Sequence, residues 1–181
     1  LYDIDSGSIE INGLDIRHVT QHDLREMIGF ATQNALLFSG TIRENLQYGN
    51  EEATDEELWH ALDVAQGSDF VSNLPNGLDS RVEQGGANFS GGQRQRLSIA
   101  RALATDARIL VFDDSFSALD FKTDAQLRKA LEPETEDKAV IIIAQRISTV
   151  VDADEILVLD KGELAGIGTH EELKESNKVY Q

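Results

Sequence analysis

The chain has 181 residues, 40% of them hydrophobic, and a formal net charge of −17 from 16 basic and 33 acidic side chains. That length and apolar content suit one domain with its own core, and no apolar run approaches the roughly 18 residues of a membrane-spanning helix. The absence of cysteine excludes disulfides and thiolate metal sites, and so acidic a surface argues against nucleic acid, whose phosphates are neutralised by Lys and Arg.

In chain order, Ser8-Ile9-Glu10-Ile11-Asn12-Gly13 alternates polar and apolar and ends in Asn-Gly, which predicts a strand entering a tight turn. Residues 28–32 form a second short strand candidate leading into Gln33. Thr41 with Glu44, and Thr54 with Glu57, have the spacing of a capping box, in which two orphan helix donors are satisfied reciprocally. Leu58, Ala61, Leu62 and Ala65 then recur at helical spacing and predict one buried face. Residues 41–76 therefore read as a mainly helical insertion. His18 and His22 could share a helical face, but with His60 and His170 they form no metal-ligand pattern and read as exposed polar side chains.

The second half changes rhythm. Residues 109–112, 139–144 and 156–159 are continuous apolar runs, the pattern of parallel strands buried on both faces beneath helices. Helices are predicted over 93–104 and 124–131, with a short one at 147–151 and another after Thr169, where Glu172 completes a further capping box. Strands alternating with helices predict an α/β domain, whose ligands bind at the carboxyl ends of the strands.

The most specific stretch is Asn88-Phe89-Ser90-Gly91-Gly92-Gln93-Arg94-Gln95-Arg96, running on to Leu103. Ser90 can cap the helix while Gln93 reaches back, and two glycines bare the backbone at the positive end of the helix dipole, which suits a phosphate. This segment resembles the signature motif of ABC transporter ATP-binding domains nearly letter for letter. Ile109-Leu110-Val111-Phe112-Asp113-Asp114 is similar to their Walker B strand, and Ser115-Phe116-Ser117-Ala118-Leu119-Asp120 to their D-loop. Ala31-Thr32-Gln33-Asn34 resembles the Q-loop, residues 141–150 the switch-loop region, and residues 153–170 the closing strands. Thr41-Ile42-Arg43-Glu44-Asn45-Leu46 and the residues around Gln145 resemble exporters in particular.

The resemblance implies a fold and a set of roles. The fold is an α/β, P-loop NTPase-like ABC ATPase domain spanning 1–181. It has a parallel core sheet, a helical subdomain over about 41–104 and a remnant antiparallel β part. ATP and Mg²⁺ are the implied ligands: Asp113 and Gln33 on the metal, Asp114 and Gln145 as catalytic residues, and Gln33, Asp113, Ser90, Gly91, Gly92, Gln93 and Asp120 as the ATP-binding set. In the family each ATP is sandwiched between one subunit's Walker motifs and the other's signature. The implied partners are thus a second nucleotide-binding domain and transmembrane domains of the same or a partner chain, at the cytoplasmic face of the cell membrane, with no nucleic acid.

Three departures from the family pattern qualify those roles. No G-x-x-x-x-G-K-[ST] phosphate loop (Walker A) occurs in the 181 residues. Leu1-Tyr2-Asp3-Ile4-Asp5-Ser6-Gly7-Ser8 resembles the stretch shortly after that loop's helix, so the opening strands and the loop are expected to be missing from this piece. Asp114 stands where Glu is usual, one methylene or about 1.5 Å shorter, and a misplaced base costs about 10²- to 10⁴-fold in rate. Gln145 replaces the usual switch His; its amide can donate to a γ-phosphate but cannot take up a proton or a positive charge. Lesser departures are Phe89 for Leu and Gln84 for Glu. The pattern resembles the degenerate member of bacterial heterodimeric exporters, whose partner is a different chain, with an intact signature completing that partner's site. The alternatives are a non-hydrolysing structural subunit and a non-transport ABC ATPase. The latter is expected to carry a coiled-coil insertion or a basic linker, and neither is present.

Overall fold

The structure, a computed structural model, describes residues 4–105 and 107–181. The Leu1-Tyr2-Asp3 start of the segment compared with the stretch after the phosphate loop lies outside them. In chain order the elements are β1 (Glu10–Ile11), β2 (Leu14–Asp15), α1 (Gln21–Glu26), β3 (Ile28–Ala31), β4 (Gly40–Thr41), α2 (Ile42–Leu46), α3 (Asp55–Val64), α4 (Ser68–Ser72), β5 (Arg81–Val82) and α5 (Gly91–Leu103). There follow β6 (Ile109–Asp113), α6 (Phe121–Glu134), β7 (Ala139–Ile143), β8 (Ile156–Asp160), β9 (Glu163–Gly168) and α7 (His170–Ser176).

The local signals in the sequence are realised closely. Asn12 and Gly13 take φ of 52° and 76° and turn β1 antiparallel onto β2, the mirror-image turn that Asn-Gly favours. All four predicted capping boxes form, at Thr41/Glu44, Thr54/Glu57, Ser90/Gln93 and Thr169/Glu172.

At the centre lies a parallel sheet in the order β3-β6-β7. Leu110 and Phe112 of β6, Leu58 and Leu62 of α3, Leu97 and Ile99 of α5 and Leu127 of α6 are fully buried in one core. Helix α5 lies so close on β3 that a Cβ at Gly29 would fall 2.5 Å from the Ala102 carbonyl oxygen. Only a glycine permits that approach of backbone to backbone.

Three expectations need correction. Residues 139–144 were expected to be buried on both faces, yet Val140, Ile141 and Ile143 are 37%, 51% and 49% exposed. Among the described residues β6 alone in this sheet has neighbours on both sides, whereas β7 lies at its edge, and an apolar run reads the same in either position. Residues 156–159 were expected to be a parallel strand, but β8 pairs antiparallel with β9 in a separate two-stranded ribbon. The cause is local: Lys161 and Gly162, at φ of 50° and 83°, reverse the chain at once. Leu157 and Leu159 stay exposed, while Ile156 joins Leu173 and Tyr180 in a small second cluster. The helix expected at 147–151 is a single 3₁₀ turn, Ile147–Thr149. Among the described residues no helix is long and apolar enough to cross a membrane.

Candidate active site

Parallel pairing brings the carboxyl ends of β3, β6 and β7 to one edge, and polar residues follow each strand there. Asp114, just past β6, sits at φ 46°, in the left-handed region that Asp tolerates better than most residues. Its amide donates to the Ile143 carbonyl at 2.8 Å, continuing the contact with β7 for one residue beyond the strand.

That placement delivers its carboxylate to two side-chain amides. Gln33 Nε2 donates to Asp114 Oδ2 at 3.1 Å, and Gln145 Nε2 donates to the same oxygen at 3.0 Å. Three residues separated by 81 and 31 positions in the chain therefore meet in one cluster. Asp113 is the last residue of β6, half-buried beside it.

The loops bearing these groups are tied down by residues that sequence reasoning passed over. Ser115 is fully buried and its hydroxyl donates to the Ala31 carbonyl at 2.8 Å. Gln95, 2% exposed on α5, donates from Nε2 to the Thr32 carbonyl at 3.1 Å. Ser117 Oγ donates to the Asp114 carbonyl at 2.8 Å, and Arg146 Nη2 to the Ser117 carbonyl at 3.2 Å. A signal for Gln95 was available: it shares the buried face of α5 with Ser98, Ile99 and Ala102, at helical spacing. A polar side chain on such a face needs a partner.

The start of α5 is built separately. Ser90 Oγ accepts from the Gln93 amide at 3.2 Å, and Gln93 Oε1 accepts from the Ser90 amide at 2.9 Å. Among the described residues no hydrogen bond joins Ser90 or Gln93 to Gln33, Asp113, Asp114 or Gln145. A Cβ at Gly91 would meet nothing closer than the Arg94 guanidinium at 4.0 Å, and one at Gly92 only the Ala118 carbonyl at 3.6 Å. Among the described residues no neighbour crowds a Cβ at either position.

Asp120 caps α6, accepting from the Lys122 amide at 3.1 Å, the Thr123 amide at 3.0 Å and the Thr123 hydroxyl at 2.7 Å. The hydrogen bond from the Thr123 backbone is the chief reason its carboxyl lies below the usual range. Its contacts within the chain are those of a helix cap. Among the described residues no group of three or more His, Cys, Asp or Glu could hold a metal ion.

A parallel sheet with polar side chains gathered at its carboxyl edge, packed against helices, defines an α/β domain whose ligands bind at that edge. The family model described as ABC transporter matches residues 1–117. The chain is 45% identical over 179 residues to an ATP-dependent lipid A-core flippase of Desulfotalea psychrophila, covering 99% of this chain and 31% of the flippase. It is 41% identical over 180 residues to a multidrug resistance ABC transporter ATP-binding and permease protein of Lactococcus lactis, covering 99% of this chain and 30% of that protein. Among solved structures, a bacterial Atm1-family ABC exporter with ATP bound superposes with a TM-score of 0.92 at 40% identity, covering 98% of this chain and 31% of the exporter. The chain belongs to the ABC transporter family, as a nucleotide-binding domain of the exporter type. It spans just under a third of the length of these relatives.

Proposed function

We propose that this domain binds and hydrolyses ATP as part of an exporter, in an asymmetric pair. Its own site is weakened at Asp114 and Gln145, and its signature, Ser90 to Gln93, serves the site of a different partner chain. The observation that carries this reading is the convergence of Gln33 and Gln145 on Asp114 at the carboxyl edge of the sheet. The separate, unobstructed start of α5 agrees with it, because a ligand held by another subunit needs the bare backbone of Gly91 and Gly92.

The donor set suits Mg²⁺, which favours one or two protein oxygens completed by water and phosphate. Gln33 gives its amide nitrogen to Asp114, so its oxygen is the end left for a cation that the Asp113 carboxylate would also hold. The ion would neutralise charge on the phosphates. Gln145 gives one N–H to Asp114 and keeps a second for a phosphate oxygen. Asp114, fixed by both amides, orients an attacking water less closely than a longer Glu does. The domain sits at the cytoplasmic face of the membrane against transmembrane domains, with residues 41–104 as the helical subdomain.

Purified, membrane-reconstituted exporter should hydrolyse ATP only when both nucleotide-binding subunits are present. Equal turnover by this subunit alone would sink the asymmetric assignment. A non-hydrolysing scaffold is the second reading, supported by the shortened Asp114 and the unprotonatable Gln145. A pair whose turnover is indifferent to every substitution between Ser90 and Gln93 would establish it instead.

A further inference from the structure

We propose that Gln95 is a positioning residue that links the helix carrying the signature to Gln33, and so couples this subunit's own site to the partner's. The proposal rests on the two-subunit reading above and adds a route to it.

The last paired residues of the β3–β6 ladder are Ala31 and Phe112. From there the chain leaves the sheet and must place Gln33 without strand neighbours. Side chains from two other elements take over. Ser115, from the loop after β6, donates to the Ala31 carbonyl, and Gln95, from α5, donates to the next carbonyl, Thr32. Both donors are buried, at 0% and 2% exposure, where a lost hydrogen bond is not replaced by water.

The two ties differ in what they transmit. Ser115 binds the Gln33 segment to the loop that carries Asp114, within one site. Gln95 binds it to a rigid helix whose first residues, Gly91 and Gly92, lie about one turn, or roughly 6 Å, away. A shift of α5 as its start closes on a partner's nucleotide is therefore passed to the Thr32 carbonyl, then to Gln33, whose amide rests on Asp114 at 3.1 Å. Such a chain of contacts amounts to a coupling free energy between two sites.

The experiment uses the assembled exporter carrying Gln95→Met, which removes the donor at nearly constant volume, with Gln95→Glu as a second variant should Met disturb folding. A spin label on Asn34→Cys, in an exporter freed of other cysteines, should become about tenfold more mobile while a label on Lys129→Cys of α6 stays unchanged, the mark of a local loosening. ATP turnover should fall by about fivefold in kcat with KM little altered, the low end of ordinary coupling strengths. In a Gln33→Ala background the Gln95 substitution should have no further effect, because residues acting through one another are non-additive. Unchanged mobility at Asn34, or a turnover loss that persists in full without Gln33, overturns the proposal. If the wild-type assembly shows no ATP turnover, the functional reading fails, and mobility at Asn34 still decides the role of Gln95.

Discussion

Gln145 and Asp114, on loops that follow adjacent parallel strands, are joined by a hydrogen bond of 3.0 Å from amide to carboxylate. On the resemblance read from the sequence, both stand where other residues are expected, and the two positions meet at one contact. Restoring the pair as Asp114→Glu with Gln145→His should let this subunit's own site hydrolyse as well. Steady-state turnover of the assembled exporter should then rise by at most about twofold, the gain from a second equivalent site. A loss of turnover in the restored pair would contradict the asymmetric reading.

The 181-residue chain by itself should hold ATP poorly. The phosphate loop supplies backbone donors and a lysine, and this sequence contains no such motif. Titration calorimetry with Mg-ATP should give a Kd no tighter than about 1 mM, near −4 kcal/mol. A low-micromolar constant would show that the residues after β3, β6 and β7 suffice.

Gly29 offers a test of packing that is independent of chemistry. A Cβ there meets the Ala102 carbonyl at 2.5 Å and the Thr105 hydroxyl at 2.9 Å. The former is backbone and cannot swing away. Gly29→Ala should destabilise the domain by about 1–3 kcal/mol, the usual cost of overpacking, measured by urea unfolding. A neutral result would mean that α5 is not seated on β3 as tightly as the structure has it.

What the sequence revealed depended on range. Capping boxes, the Asn12-Gly13 turn and the buried face of α3 involve residues a few positions apart, and each appears as read. The cluster of Gln33, Asp114 and Gln145 was legible only through family resemblance, since nothing local predicts contacts across 81 and 31 residues. The direction of β8 was misread because hydrophobicity does not encode parallel or antiparallel pairing. The Lys161-Gly162 turn that decides it was present in the sequence. The close approach at Gly29 is a property of two elements and has no signature in either one alone.

Asp120 should give a pH-dependent contribution to stability. Its folded carboxyl lies below the usual range because the charged form accepts hydrogen bonds at the start of α6. A depressed folded pKa means that the contribution is fully present above the unfolded value, near 3.9, and is lost as pH falls through the folded one. Asp120→Ala should therefore lower Tm at pH 7, and the gap from wild type should narrow steadily below about pH 4. Melting curves for the two proteins across that range test this. A gap that stays constant would show that the cap does not act through its charge.

The last test sets two positions of the same polypeptide against each other. On the asymmetric reading, Asp114→Glu alone should change turnover of the assembled exporter by less than about threefold, because the hydrolysing site then relies on the partner's carboxylate. Gly92→Trp should reduce it by more than about a hundredfold, since on the same reading its backbone approaches the nucleotide held by the partner. Misfolding is controlled from within the chain: a Cβ at Gly92 meets only the Ala118 carbonyl at 3.6 Å, an ordinary contact. Gly92→Ala should thus keep the wild-type Tm while still lowering turnover. If Asp114→Glu produced a large gain and Gly92→Trp left turnover untouched, the two sites would have to be exchanged between the subunits. Equal losses from both would instead indicate two equivalent sites, each built from one signature and one Asp114.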